Sequence, residues 1–194
     1  MASPALPRHT YEAYLALEAE AGEKMEYHDG YVTAMAGDTP DHSQIGINCG
    51  RALGNALERA GRDCGVHGNN LKLHVEHSRR SFYADVAVVC GPAEYAEGNP
   101  NALTNPILIV EVLSDSTAAL DRGEKLFHYR RMPALSQYVL ISQTAAVVDS
   151  FYRSKEDLWE IETARGLDAE LTLKSVDCTI ALRDLYRRVA GLNA

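Results

Sequence analysis

Two acidic residues stand beside strongly apolar runs. Asp85 precedes the run at 86–89, and Glu111 follows the run at 107–110. Burying an ionised carboxylate without a partner costs several kcal/mol. If the two strands are neighbours, the carboxylates face one another at an edge of the sheet, where waters and a backbone carbonyl complete a site for Mg²⁺ or Mn²⁺. The structural alternative is that Asp85 caps a strand end and that Glu111 pairs with an Arg or Lys of a covering helix.

The elements that must position these acids follow an order typical of an α/β domain with a mixed sheet and flanking helices. Thr10 has the residue type of a helix N-cap, and Asp29 and Gly30 form a two-residue hairpin turn. The second helix is predicted to be capped by Asp41 or Ser43. In chain order we predict a helix in 10–24, a hairpin in 24–37, a helix in 40–61 ended by Gly61, strands in 68–77 and 81–90, a long loop over 91–106, a strand over 107–113, a helix from about Asp121 to Pro133, a strand in 136–143, an antiparallel pair in 145–154 and 158–164, and a helix in 180–191.

Length and composition indicate one soluble domain spanning residues 1–194. Hydrophobic residues make up 46% of the chain and charged residues 24%, as in ordinary globular proteins. No apolar run nears the roughly 18 residues of a membrane span, and the N-terminus has no apolar signal segment. We therefore expect a cytoplasmic protein without membrane contact.

The net charge limits the mode of any contact with nucleic acid. The formal charge is −8 and the pI is about 5.3. Proteins that coat nucleic acid without sequence preference usually display a basic face, so this composition argues against that class. It leaves open a protein that holds a phosphate backbone locally, with a few Lys and Arg side chains around a metal ion.

The cysteines and two histidines give no metal site of their own. The four cysteines are scattered without C-x-x-C spacing, so in a reducing cytosol we expect them to act as small hydrophobic residues rather than zinc ligands. His74 and His77 lie three apart on a predicted strand, which directs them to opposite faces and excludes them as a metal pair.

Two segments resemble the Uma2 family of the PD-(D/E)XK nuclease superfamily. These are "FYADVAVV" at 82–89 and "PILIVEVLSDSTAALDRGEKLFHYRR" at 106–131. The family pattern has an Asp opening an apolar strand, then P-x-L-V-V-E-V-L-S-P-S-T, then Asp, Lys and Tyr on the next helix. "MEYHDGYVTAMAGDTPDHSQI" at 25–45 is also similar. The likeness covers about residues 10–143, is most specific at 106–129, and implies a restriction-endonuclease-like mixed central β-sheet flanked by helices.

The resemblance also implies a metal site. Asp85 and Glu111 take the two acidic positions, and the carbonyl of Val112 would be a third metal ligand. The sequence departs from the superfamily pattern at Ala84, which replaces the Pro before the Asp, and at Leu113, which replaces the lysine of E-X-K.

Lys125 matches the lysine that this family carries on the following helix. The resemblance therefore implies that Lys125 is a migrated catalytic lysine, which steadies the attacking water and the developing phosphate charge. The alternative is an ordinary solvated helix lysine. The outer shell departs further, because Asp115 replaces the Pro of S-P-S-T and Gln137–Ser142 replaces E-Y-W-L-V-D.

Three other residues match the family, and two of them have more than one interpretation. Glu26 matches an N-terminal acid that would add a metal or water ligand, or it is an exposed hairpin residue. His42 serves as a helix cap, a phosphate contact or a packing residue. Tyr129 is most simply a packing residue between helix and sheet.

The resulting functional hypothesis is a Mg²⁺- or Mn²⁺-dependent endonuclease that hydrolyses phosphodiesters of nucleic acid, with DNA the preferred expectation. The resemblance implies products with 5′-phosphate and 3′-hydroxyl ends, and a homodimer. Arg122, Arg130 and Arg131 could hold backbone phosphates, although such arginines are more often surface pairs. One alternative is a catalytically weak or inactive binding and assembly module of the same fold, because the E-X-K lysine is missing. Another is a different metal-dependent hydrolase, which would need further ligands that the spacing does not provide.

Overall fold

Two six-stranded sheets, five α-helices and a two-stranded sheet, formed by the last two strands of the chain, make up the described part of the protein in the computed structural model, which covers residues 7–35 and 37–192. Ala36 of the predicted hairpin and the ends of the predicted 1–194 domain lie outside these residues. The helices are α1 (Tyr11–Ala21), α2 (Pro40–Arg59), α3 (Ala118–Leu120), α4 (Leu126–Tyr129) and α5 (Leu182–Leu185), with a 3₁₀ turn at Glu76–Ser78 and a π-helical turn at Asp121–Lys125. The strands are β1 (Met25–His28), β2 (Tyr31–Ala34), β3 (Cys64–Gly68), β4 (Lys72–Val75), β5 (Arg80–Tyr83), β6 (Val86–Cys90), β7 (Tyr95–Ala96), β8 (Asn99–Leu103), β9 (Leu108–Leu113), β10 (Gln137–Ser142), β11 (Val147–Arg153), β12 (Trp159–Arg165), β13 (Glu170–Leu173) and β14 (Cys178–Ala181).

The sheet that carries Glu111 has the order β12-β11-β10-β9-β6-β3. Strand β9 is buried along its whole length and pairs in parallel with β10 and antiparallel with β6. Asp85 immediately precedes β6, so the condition for a paired site, that the two strands are neighbours, is met. Val110 and Val112 pack with α2, whereas Ile109 and Leu113 pack with the opposite cluster. Because side chains alternate along a strand, Glu111 points to the same side as Ile109 and Leu113.

The other large sheet has the order β2-β1-β5-β4-β8-β7 and carries Glu26 on β1. Strands β5 and β6 follow one another in the chain but belong to different sheets. The single strand predicted over 81–90 is therefore wrong, because the chain passes between the sheets at Ala84 and Asp85. The Asp85 carboxylate accepts a hydrogen bond from the Val112 backbone N–H where the β6–β9 ladder ends. The mixed sheet with flanking helices is confirmed, but the second sheet was not predicted.

The two long helices confirm their predicted positions with one correction. Thr10 caps α1, and its Oγ1 accepts from the Ala13 N–H. Helix α2 is capped by Thr39 rather than by Asp41 or Ser43, because Pro40 is already in the first turn. Among the described residues, no helix is long and apolar enough to cross a membrane.

Replacing the cap of α2 tests this assignment. The Thr39 hydroxyl accepts from the His42 N–H at 3.1 Å, so we expect Thr39→Ala to lower the free energy of unfolding by about 1 kcal/mol. Urea unfolding measures the change. Ser43→Ala, at an exposed position, is the matched control. A larger loss of stability in Ser43→Ala than in Thr39→Ala would show that Ser43 is the cap.

Several short elements differ from the sequence prediction. The predicted loop over 91–106 contains β7 and β8, and β8 pairs in parallel with β4. Strands β3, β13 and β14 were not predicted, the predicted final helix is reduced to α5, and His77 lies in the 3₁₀ turn instead of a strand. These segments are short and polar, so their conformation is set by distant pairing partners rather than by local pattern.

The cysteines divide into two kinds. Cys49 and Cys178 are buried, as expected of small hydrophobic residues. Cys64 and Cys90 form a disulfide, which corrects the expectation of four reduced thiols. These two residues are directly opposite in the β3–β6 ladder, a long-range pairing that cysteine spacing does not reveal.

Candidate active site

Glu111 is fully enclosed and has a positive partner. Only 3% of the surface of this residue is exposed to solvent. The Lys125 ammonium donates to Glu111 Oε1 at 3.2 Å, and the Tyr129 hydroxyl donates to the same oxygen at 3.1 Å. Tyr129 lies in the core, as predicted, but it also has this polar contact, which the sequence did not indicate.

Lys125 is the cationic centre of the cluster. It is 4% exposed, so the alternative of a solvated helix lysine is wrong. Lys125 Nζ lies 3.2 Å from Glu111 Oε1, 3.2 Å from Asp121 Oδ1 and 3.6 Å from Glu26 Oε1. The π-helical turn presents both Asp121 and Lys125 inward, and π-helical turns occur frequently at functional sites.

Glu26 reaches the same cluster from the other sheet. It is 7% exposed, which excludes the alternative of an exposed hairpin residue. Its Oε1 accepts from the Tyr83 N–H at 3.3 Å, and its Oε2 lies 3.6 Å from His28 Nε2. The carboxylate is therefore anchored by its own sheet while one oxygen faces Lys125.

Asp85 is held in place by the strand end and by helix α2. Its Oδ2 accepts from the Val112 N–H at 2.6 Å and lies 3.4 Å from His42 Nε2. The other ring nitrogen of His42 is 3.5 Å from Asp38 Oδ1. His42 is therefore enclosed between two carboxylates. Of the three roles predicted for it, the structure shows the packing role, to which these two polar contacts are added.

Negative charge is in excess in this cluster. The carboxyl groups of Glu26, Glu111 and Asp121 lie within 3.6 Å of the Lys125 ammonium, and the Asp85 carboxyl lines the same cleft. Burial raises the pKa of Glu111 well above its ordinary value, and the neighbouring acids reinforce the rise. Burial also raises the pKa of Asp85. Burial alone would lower the pKa of Lys125, but the facing carboxylates more than offset it and raise that pKa.

The donor set of the cleft suits a hard divalent cation. A cleft of about 440 Å³ is lined by Glu26, Asp85, Glu111, Val112 and Lys125. Across the described residues, no three His, Cys, Asp or Glu side chains stand together in a ready metal-binding group. Mg²⁺ does not need such a group, because it commonly binds one or two carboxylates and keeps several waters. The excess of buried carboxylates around the Lys125 ammonium fits an additional cation.

Sequence reasoning missed two contributors to the site. Asp121 had no predicted role, although its position four residues before Lys125 places the two on one helical face. His28 was also missed, although it lies two residues after Glu26 on one strand, a spacing that places both side chains on the same face. Arg122 pairs with Asp149 on the surface, in line with the structural interpretation of that arginine.

The chain is similar in sequence to one known family and to two known proteins. Residues 11–183 match the Uma2 family, described as "Putative restriction endonuclease". Two uncharacterized proteins of Synechocystis sp., slr1290 and sll1609, are 34% and 32% identical over 188 and 162 residues. These alignments cover 97% and 84% of this chain, and 96% and 90% of the relatives.

A solved structure shares the fold. The crystal structure of "a putative nuclease belonging to DUF820" from Anabaena variabilis matches with a TM-score of 0.75 at 18% identity, over 94% of this chain and 99% of that one. At that identity the likeness concerns the fold. The sequence match spans all four predicted catalytic residues, Glu26, Asp85, Glu111 and Lys125, and covers most of the chain. The chain therefore belongs to the Uma2 family, whose description is "Putative restriction endonuclease".

Proposed function

We propose that this protein is a divalent-metal-dependent endonuclease that hydrolyses phosphodiester bonds of nucleic acid, DNA being the first substrate to test. The observation that carries the proposal is the contact of the buried Lys125 ammonium with the Glu111 carboxylate, at 3.2 Å, inside an acid-rich cleft. Both groups are buried, so this ion pair is not a surface contact. Buried ionisable groups with shifted pKa values in a cleft are typical of catalytic sites. Family membership supports the same function.

Asp85, Glu111 and the Val112 carbonyl would hold the metal ion. When bound, Mg²⁺ lowers the pKa of a coordinated water and polarises a phosphate oxygen. The protein's own groups supply orientation. Tyr129 and Lys125 both contact Glu111 Oε1, which fixes the carboxylate, and the Val112 N–H and His42 fix Asp85 in the same way.

Lys125 would take the role that the E-X-K lysine has in the superfamily. Leu113 occupies that position and is packed in the hydrophobic core. Lys125 reaches the same carboxylate from the following helix, and Glu26 and Asp121 keep its ammonium in the cleft. Its charge would orient the attacking water and stabilise the negative charge that develops on the phosphate.

Asp85→Asn tests the catalytic assignment. The amide keeps the size of the side chain but removes the charge, so we expect metal-dependent cleavage to fall by about a hundredfold or more. Cleavage of plasmid DNA and of a labelled single strand is followed with Mg²⁺ or Mn²⁺. Asp184→Asn, on the exposed face of α5, is the control and should cleave as the wild type does. Equal activity in Asp85→Asn would contradict the assignment.

Leu113 favours one other candidate, a binding and assembly module without strong catalysis. That module would bind nucleic acid but show no metal-dependent cleavage in any variant, whereas the endonuclease loses cleavage specifically with Asp85→Asn. Homodimer formation and cytoplasmic location stay predictions, which sedimentation and cell fractionation would measure.

A further inference from the structure

A groove adjoins the active-site cleft at Asp85. It has a volume of about 410 Å³ and lies between helix α2 and strand β3. It shares Asp38, His42 and Asp85 with the cleft that contains Lys125. A chain that places one phosphate in the cleft can therefore continue past Asp85 into this groove.

Glycines of α2 keep the groove open. A Cβ atom added at Gly46 or Gly50 would meet no heavy atom within 4 Å, so space rather than a close contact lies over both positions. Glycine inside a helix costs roughly 0.5–1 kcal/mol relative to Ala. No left-handed backbone requires glycine at either residue, because both have ordinary helical geometry.

Side chains along the groove suit a nucleotide. Ile47, on the same helix, is 68% exposed and offers an apolar surface to a base. His67 lines the opposite wall of the groove and supplies a ring on which a base can stack. Base stacking on such rings is tolerant of sequence.

Arg51 provides the charge for a phosphate. One of its guanidinium nitrogens donates to Asn48 Oδ1 at 3.3 Å, which orients the side chain. Within residues 7–35 and 37–192 no carboxylate forms an ion pair with Arg51, so its remaining donors are available. A guanidinium in this state binds phosphate oxygens well.

We propose that this groove holds the unpaired nucleotides next to the scissile phosphate, so that the substrate is a single-stranded nucleic acid. The inference rests on the proposed function for the position of that phosphate. A groove of this volume holds about one or two nucleotides, and the net charge of −8 leaves few cations for the many phosphate contacts of a duplex.

Gly46→Leu tests the groove by filling it. Leu is a good helix former, so the variant should fold and unfold at the temperature of the wild type or above it. The probe is a fluorescein-labelled oligothymidylate of twelve residues, with Ca²⁺ in place of Mg²⁺, and anisotropy gives its dissociation constant. We expect Gly46→Leu to weaken binding by at least about tenfold. Gly54→Leu is the matched control, since Gly54 is on the same helix with equal space but outside the groove, and it should bind as the wild type does.

Arg51→Gln supplies a second variant that leaves the shape of the groove intact, and it should weaken binding by about three- to tenfold. The unlabelled duplex of the same length should compete at least tenfold less well than the single strand. Equal binding by Gly46→Leu and Gly54→Leu, competition by duplex at the strength of the single strand, or no binding by the wild type would each overturn the inference. Failure of the proposed function would give a different result. The wild type would then bind the oligonucleotide in the groove but would show no metal-dependent cleavage.

Discussion

Lys125→Met is expected to lower the free energy of unfolding by about 3–5 kcal/mol in metal-free buffer near pH 8, because it leaves buried carboxylates without their cation. Glu111, Glu26 and Asp121 all lie within 3.6 Å of the ammonium that the variant removes. Methionine fills most of the volume of lysine, so the loss reports on charge rather than on packing. Urea unfolding in EDTA measures it.

Two further measurements identify the cause of that loss. Lys155→Met, at an exposed position, is the matched control and should change stability by less than about 0.5 kcal/mol. Added Mg²⁺ should restore part of the stability of Lys125→Met, because a bound cation replaces the missing positive charge. A variant as stable as the wild type at pH 8 would show that the carboxylates are already neutral and that Lys125 does not compensate them.

The two acids of the site could be predicted from sequence because each has a strong local signal. A charged residue inside a continuous apolar run, as at Glu111, requires either an opening or a partner, and the run itself identifies the central strand. The Asp29–Gly30 turn and the apolar face of α2 are similarly local, and they were confirmed. The family resemblance implied that Lys125 is the migrated lysine; that role stays a prediction, and the burial of Lys125 among acids is consistent with it.

The rest of the site could not be predicted because it is made by contacts between distant elements. Glu26 reaches the cleft only because β1 pairs with β5, and β5 leads directly to Asp85. The passage of the chain between the two sheets at Ala84 and Asp85 could not be predicted either. The residues on both sides are strand-forming, so the sequence does not distinguish one continuous strand from two strands in different sheets. Pairing partners, not residue types, decide these features.

Glu111→Gln is expected to raise the stability of the metal-free protein while abolishing its metal binding. Burial raises the pKa of Glu111 in the folded chain, whereas the unfolded chain titrates near the ordinary value of about 4.3. Between these two values the folded state binds the extra proton, so rising pH destabilises the wild type by up to about 1.4 kcal/mol for each pH unit. Glutamine cannot ionise and removes this contribution, so the advantage of the variant should be absent near pH 4, grow as the pH rises toward the raised pKa of folded Glu111, and level off above it.

Metal ions should reverse that order. Mg²⁺ or Mn²⁺ binds the ionised carboxylate, so it stabilises the wild type increasingly as pH rises and has little effect on Glu111→Gln. Thermal unfolding with EDTA and with Mn²⁺, between pH 5 and 8, gives both comparisons, and calorimetry gives the affinity. Thr33→Val, a change in the same cleft that leaves all the acids in place, is the control. If Glu111→Gln instead proves less stable than the wild type in EDTA at pH 8, the Lys125–Glu111 ion pair outweighs the cost of burial, and the acid is kept for the fold rather than for a cation.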